Sequence, residues 1–226
     1  MRNFEFYIPT HVHFGRNVTD RLATVAKGYG KKALLMYGSG SILQNGIYDR
    51  VVSQLKEAQI EIVEYHGIKS NPVVTDVEEA VKLGVHEKVD FVLAAGGGSV
   101  IDSAKVTSLC IPGNLAPWEV MKGRQKPAGS LPLLVVLTLS ATGSEMNKLA
   151  VLQNHDTKEK IGYPNIMSFP DHSFLDPQFT FSVPRNYTAY GVVDLIAHVL
   201  ESWFAPGDAS LSDRFAAGII HEAMEY

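Results

Sequence analysis

The sequence predicts an α/β domain built on a parallel sheet, followed by a wholly helical segment. Three observations carry that expectation. Short apolar runs alternate with stretches of helical period through the first half of the chain, the pattern of βαβ units whose sheet is covered on both faces. One apolar run, Phe91-Val92-Leu93-Ala94-Ala95, ends in Gly96-Gly97-Gly98 and passes straight into a helix-like segment. Past Pro184 the alternation stops and two helical stretches rich in apolar residues follow.

Each element has its own signal. Phe4 to Ile8 and His11 to Phe14 alternate as short strands do, with Pro9-Thr10 between them. Asp20 to Lys27 reads as a helix that Gly28 and Gly30 end. Lys32 to Tyr37 is an apolar strand; Ser41 to Ala58 is helical, with Gly46 as a break or restart. Ile60 to Tyr65 is a strand. Asn71-Pro72 is a turn, and Thr75, with Glu78 three residues on, caps a helix through His86. The strand at Asp90–Ala95, the glycine turn and a helix to Cys110 follow. Leu133 to Leu139 is a buried strand, residues 148–163 are a hairpin turning near Asn154-His155-Asp156, and Phe174-Leu175-Asp176-Pro177 is a short strand with a turn. Tyr187 to Phe204 and Leu211 to Met224 are helices separated by Pro206-Gly207. The domain boundary is expected near Ser182–Arg185, dividing an α/β domain (1–184) from a helical segment (185–226).

Bulk properties exclude some functions. The chain of 226 residues has a formal net charge of −4 and no clustered Lys/Arg stripe, so no nucleic-acid partner is expected. No apolar run is long enough to span a bilayer, and Met1 to Phe6 lacks the apolar core of a signal peptide. The single cysteine, Cys110, rules out an intrachain disulfide and fits a reducing cytoplasm.

Two constellations carry chemistry. Glycines between a strand and a helix let an anion approach main-chain N–H groups at a helix N-terminus. Gly97, Gly98 and Ser99 stand there, with Ser99 as N-cap and Asp102 three residues on, as in a capping box. That turn suits a phosphate or dinucleotide; the alternative is a tight turn with no ligand. The second pair is Asp194 and His198, i and i+4 on one face of a helix that is apolar nearly all round. Such a helix is expected to be buried, and a buried Asp needs a cation or hydrogen bonds. A divalent metal and a metal-free Asp–His pair both satisfy it.

Three motifs in register resemble one family. Gly96-Gly97-Gly98-Ser99-Val100-Ile101-Asp102-Ser103-Ala104-Lys105, Thr138-Leu139-Ser140-Ala141-Thr142-Gly143-Ser144-Glu145 and Gly191-Val192-Val193-Asp194-Leu195-Ile196-Ala197-His198 resemble the iron-containing (group III) alcohol dehydrogenases, nearest to their NADPH-dependent butanol dehydrogenase and aldehyde reductase branch. The opening Pro9-Thr10 to Phe14-Gly15 and Leu175-Asp176-Pro177 fit as well. The resemblance implies a dehydroquinate synthase-like fold: a Rossmann-like nucleotide domain, an all-helical metal-binding domain, and cofactor and metal in the cleft between them. It implies hydride transfer between NADP(H) and a primary alcohol or aldehyde such as butanol or butanal, with iron or zinc as a Lewis acid, in a cytoplasmic homodimer or self-associating chain.

Carried over residue by residue, Gly97, Gly98 and Ser99 would hold the diphosphate, and Asp102 would lie near the nicotinamide as a catalytic residue. Thr138 and Thr142 would line the cleft, Asn147 and Lys160 would reach the ribose or phosphates, and Asn71 would join them. Asp194 and His198 match two of the family's four metal ligands and would be catalytic through the metal. The other two are histidines on later helices. They are missing here, and His221, the one histidine after His198, sits in a different context. A fragment, a truncated product or half of a split protein is therefore expected, with apolar surface exposed around Phe215, Ile219 and Ile220.

Cofactor choice is read from the segment Tyr37-Gly38-Ser39-Gly40-Ser41. A carboxylate there would bond a ribose 2′-hydroxyl and repel a 2′-phosphate. None is present, and Ser39 and Ser41 offer hydroxyls beside Gly38, so NADP(H) is expected. Two other classes stay open: a polyol (phosphate) dehydrogenase or a related lyase of the same fold, although no basic cluster accompanies Asp194, and a non-catalytic nucleotide-binding chain. His11, His13, His66 and His86 have no evident pairing and are expected in structural or surface roles. Trp118 and Trp203 are read as packing residues, and His155-Asp156 as turn residues.

Overall fold

A computed structural model describes Asn3 and residues 5–225. The chain divides into two compact units, Met1–Phe181 and Ser182–Tyr226. In order, the first unit holds β1 (His11–Phe14), α1 (Leu22–Ala26), β2 (Lys32–Gly38), α2 (Ser41–Gln44), α3 (Ile47–Glu57), β3 (Glu61–Ile68), α4 (Val74–Glu87), β4 (Phe91–Gly96), α5 (Gly98–Cys110), α6 (Pro117–Met121), β5 (Leu133–Leu137), β6 (Leu149–Asn154), β7 (Glu159–Pro164) and β8 (His172–Leu175). The second holds α7 (Arg185–Trp203) and α8 (Ser210–Glu225). No helix among the described residues is long and apolar enough to cross a membrane.

Six strands form one sheet in the order β1-β8-β5-β4-β2-β3, parallel throughout, while β6 and β7 pair as a separate antiparallel hairpin. Strand side chains alternate between the two faces. Phe91, Leu93 and Ala95 of β4 join Leu35 and Val136 in a core closed by Leu22, Val51, Leu55 and Phe174. Val92 and Ala94 face the other way, with Met36 and Val135, toward Val77, Val81, Ile101 and the hairpin's Ala150 and Leu152. The central strands are thus buried on both sides, which is why they read as unbroken apolar runs.

Several boundaries differ from the sequence reading, each for a local reason. Phe4 lies outside the described residues, and residues 5–8 form no strand. Ser41–Ala58 is two helices, as the break at Gly46 suggested; Gly46 has φ +77. Thr75 is not a cap: Val73 is extended and bridges Gln153 of the hairpin, so α4 starts at Val74. Ser99 is not a cap either: Gly97 is the N-cap residue, and α5 starts at Gly98 directly after the β4–β5 pairing that ends at Gly96. α6 had no counterpart in the sequence reading; Pro117 at its first turn and buried Val120 and Met121 account for it.

Two of the histidines read as unpaired, His11 and His13, meet His172 across two strands, while His66 stacks on Tyr37 and exposed His86 meets Glu87. Register sets His11 opposite His172 and His13 opposite Phe174. His13 Nε2 lies 2.9 Å from His172 Nδ1, the His11 and His172 rings stack at 4.9 Å, and His13 stacks on Phe174 at 4.6 Å. Burial is the first cause holding the His13 and His172 imidazoles below their ordinary pKa, helped by Arg21 and His11 around His13 and by His13 and His11 around His172. The unfolded chain therefore binds these protons more readily, and stability falls as pH drops through about 6.5 and below. Thermal melts from pH 7 to pH 5 should show that loss, and His13→Gln should reduce it. An equal loss in the variant would contradict the assignment.

The second unit departs from expectation in burial. Ala216 is its one buried residue among those described, and α7 has none. Val193 and Leu195 are exposed and Trp203 is 42% exposed, so α7 is not a buried helix. A helix apolar on most of its circumference needs partners on several sides, and one neighbouring helix covers only a stripe.

Candidate functional site

The chain builds its sheet outward from β2 to β3, then returns to place β4 on the other side of β2 and β5 beyond it. The carboxyl ends of β2 and β4 therefore flank a topological switch point, where open α/β sheets hold ligands. β2 ends there at Gly38 and β4 at Gly96. The opening N–H groups of α5 at this end have no intrahelical acceptor, and the helix dipole favours an anion.

The three glycines serve close approach, but largely of protein to protein. A Cβ at Gly96 would fall 2.5 Å from Val100 Cγ2. A Cβ at Gly98 would overlap the side chain of Thr142, with Cγ2 at 2.6 Å. Gly97 is the open one: its nearest neighbour would be Leu139 Cβ at 3.3 Å. The open backbone of this turn is thus centred on Gly97, while Gly98 seats Thr142.

Around this turn, residues far apart in sequence meet. Asn71 N donates to Ser99 Oγ at 3.2 Å, and Lys160 Nζ donates to Asn71 Oδ1 at 3.0 Å. Gln153 Nε2 donates to the Asn71 carbonyl at 2.9 Å, holding Asn71 at φ +58. Lys160 is exposed, so its ammonium is available to an anion. Thr138 N donates to the Gly96 carbonyl at 3.1 Å, and half-buried Thr138 continues β5 beside the turn. Ser39 and Ser41 are exposed at the β2 end, on either side of Gly40 at φ +127.

Asp102 does not cap α5. Its carboxylate accepts from Ser144 Oγ at 2.6 Å and from Val151 N at 3.0 Å, tying the segment after β5 and the hairpin to the helix. Burial pushes its carboxyl above the ordinary range, against the pull of Ser144, Val151, Lys105 and Lys160. Asn147 spends its amide inside the protein: Oδ1 accepts from Lys105 Nζ and Leu149 N, and Nδ2 donates to the Gly143 carbonyl. It shapes the segment over the turn, and its carbonyl oxygen is not free for a ribose.

Sequence reasoning missed Lys105 and Ser144 as working parts of this site. Lys105 had a signal. Every residue of the 13-residue α5 except Ser99 and Asp102 is buried, and a lysine in such a helix must find acceptors. It also missed Glu64 of β3, whose two oxygens accept from Tyr37 and Tyr48 hydroxyls at 2.7 Å each. That carboxylate stands beside the end of β2 through strand pairing, which no local reading of residues 37–41 reveals.

The expected metal ligands are a close pair on the second unit. Asp194 Oδ1 and His198 Nε2 are 3.7 Å apart and about half exposed. One carboxylate and one imidazole at that separation suit a shared divalent iron or zinc in donor type, but two ligands fall short of a complete site. Asp194 is not buried, so its desolvation does not demand a cation. Among the described residues, the one cluster of three candidate ligands is His221, Glu222 and Glu225 on α8, all exposed.

A parallel sheet covered on both faces, with a glycine turn and a helix N-terminus at its switch point, defines the Rossmann-like class. Comparison with known proteins carries this further. The model of the family described as iron-containing alcohol dehydrogenase matches residues 9–177, and the chain belongs to that family. It is 41% identical over all of its length to a probable NADH-dependent butanol dehydrogenase 1 of Bacillus subtilis, covering 58% of that protein. It is 36% identical to the NADPH-dependent aldehyde reductase YqhD of Escherichia coli, again over 100% of the chain and 58% of the relative. The solved structure of NADH-dependent butanol dehydrogenase A from Thermotoga maritima superposes with a TM-score of 0.96 at 42% identity, covering 100% of this chain and 57% of that one. The chain thus spans somewhat over half the length of the relatives it matches.

Proposed function

We propose that the chain is the dinucleotide-binding part of a metal-dependent oxidoreductase that moves hydride between NADP(H) and a primary alcohol or aldehyde such as butanol or butanal. The observation that carries this reading is the convergence of Gly97, Ser99, Asn71 and exposed Lys160 on the N-terminus of α5 at the switch point. Backbone N–H groups at Gly97 to Ser99 bind the diphosphate, and Lys160 adds a positive charge next to it. Thr138 and Thr142 line the path of the dinucleotide, and Gly38, Ser39 and Ser41 meet its adenosine end. Asp102 holds the Ser144 segment near the nicotinamide end. Asp194 and His198 would hold a divalent metal, iron or zinc, whose chemistry when bound is Lewis-acid stabilisation of charge on the substrate oxygen. The hydride itself belongs to the cofactor, and the protein's share is orientation.

The relatives differ in cofactor: the butanol dehydrogenases are named for NADH and the aldehyde reductase for NADPH. The segment Tyr37 to Gly46 carries no acidic residue to repel a 2′-phosphate and no basic one to attract it, and Glu64 is engaged by two tyrosines. NADPH is therefore expected to bind more tightly than NADH by about tenfold or less, the scale of one added hydrogen bond. Fluorescence titration of both reduced cofactors measures the ratio, and tighter NADH binding would reverse the assignment. The buried thiol of Cys110 suits a reducing cytoplasm. Phe215 and Ile219, 65% and 44% exposed, form apolar surface with half-buried Ile220, which favours homodimers or other self-association.

A further inference from the structure

We propose that Lys105 is a positioning residue whose buried side chain sets the segment from Thr142 to Leu149 against the first turn of α5, and so sets how the cofactor is held. This rests on the function proposed above. Lys105 has 0% of its surface exposed. Its Nζ donates to the Asn147 carbonyl at 2.7 Å, to Asn147 Oδ1 at 3.0 Å and to the Leu149 carbonyl at 2.9 Å. Three protons meet three acceptors, the full capacity of an ammonium group.

The link runs from there to the turn. Asn147 Nδ2 donates to the Gly143 carbonyl at 3.0 Å. Thr142, the next residue, fills the space that a Cβ at Gly98 would need, and its Oγ1 accepts from Ser144 N at 3.3 Å. Lys105 thus holds one end of a short segment whose other end rests on the backbone expected to carry the diphosphate. Burying an ammonium is costly, and an apolar residue of similar volume would leave the Asn147 and Leu149 carbonyls without this donor. Packing alone does not account for a lysine here; three directed hydrogen bonds do.

Charge behaviour separates positioning from mere support. Asp102 on α5 and Glu145 on the neighbouring segment face the ammonium and favour its charge, yet burial prevails and pushes its pKa down to about 8. Lys160 lies beyond Asp102 and acts on that carboxylate. Because the folded pKa is below the ordinary lysine value, the unfolded chain binds the proton more readily between the two, so this group makes stability rise with pH above about 8. Cofactor affinity should move the other way. The neutral amine donates two hydrogen bonds and not three, and an anionic dinucleotide favours the charged form.

The test measures NADPH affinity and urea stability of the whole chain at pH 7 and pH 9.5, for the parent and for Lys105→Met. The parent's Kd should rise about three- to tenfold with pH, the loss of one hydrogen bond, while its stability from this group rises. Lys105→Met should bind about tenfold or more weakly at pH 7 and lack the pH response. If that variant does not fold, Asn147→Ala removes the side-chain link while keeping Lys105, and should also weaken binding. A parent Kd that is flat, or that follows stability, overturns the positioning role, as does a folded Lys105→Met or Asn147→Ala with parental affinity. Failure of the parent to bind either reduced cofactor at any pH overturns the function itself, which is a distinct result.

Discussion

Gly98→Val is expected to abolish measurable dinucleotide binding, a loss of more than about a hundredfold, because a single bulky group at this contact displaces everything seated on it. A Cβ at Gly98 would meet Thr142 Oγ1, Cγ2 and Cβ, the last at 3.0 Å, and valine adds two methyl groups beyond it. Thr142 must move, carrying Gly143 and the Asn147 link with it. Overpacking of this kind costs roughly 1–3 kcal/mol of stability, so the fold survives with a lower melting temperature and a displaced segment. Gly97→Ala makes the sharper contrast. Its methyl would meet Leu139 Cβ at 3.3 Å and Cδ2 at 3.6 Å, a contact that a small shift relieves. Stability should stay near the parent's, while the methyl stands where the diphosphate meets the backbone. Fluorescence titration with reduced cofactor, paired with a thermal melt, separates the two effects. Full binding by Gly98→Val would place the phosphate site elsewhere.

The second large effect concerns turnover. The 226-residue chain is expected to retain less than one equivalent of divalent metal after dialysis against chelator. Its reduction of butanal should be about a hundred- to a thousandfold or more below that of a full-length relative, the scale of losing electrostatic stabilisation at a reacting oxygen. Asp194 and His198 supply two ligands on one exposed helix face, and tight sites take three or four from protein. Added zinc or ferrous iron should restore little. The glycine turn, Asn71 and Lys160 all lie in the first unit, so cofactor affinity should persist in Asp194→Ala and His198→Ala. Metal elemental analysis and an aldehyde assay check this. Stoichiometric retained metal with robust turnover would show that further ligands, among them His221 with Glu222 and Glu225, complete a site; their ligand atoms lie within 4.8 Å of one another.

The order of elements was legible because burial on both faces leaves β2, β4 and β5 as unbroken apolar runs, and because Gly96 to Gly98 punctuate the strand-to-helix turn. The meeting of Asn71, Ser99 and Lys160 was legible only through family resemblance, since it depends on how the hairpin seats on α5. Caps were misread where tertiary contacts took precedence over local propensity: the bridge from Val73 to Gln153 starts α4 before Thr75, and Asn71 N claims Ser99 Oγ. Asp102, three residues after Ser99, fits a capping box by spacing, but its carboxylate finds stronger partners in Ser144 and Val151. The ladder of His11, His172 and His13 needed the parallel register of β1 on β8, which no spacing within one strand encodes. Exposure of Asp194 and His198 was unreadable for a similar reason: apolar periodicity reports what a helix can bury, and not which partners are present.

In the function proposed above, a nicotinamide dinucleotide binds at the N-terminus of α5. Amide shift perturbation of the isotope-labelled chain by NADPH tests it residue by residue. The largest changes are expected at Gly97, Gly98 and Ser99, with further changes at Asn71, Lys160 and Thr138 through Asn147, and little change along α7 and α8. Saturating NADPH or NADH that leaves Gly97 to Ser99 unperturbed, or shifts centred on another part of the sheet, would contradict it.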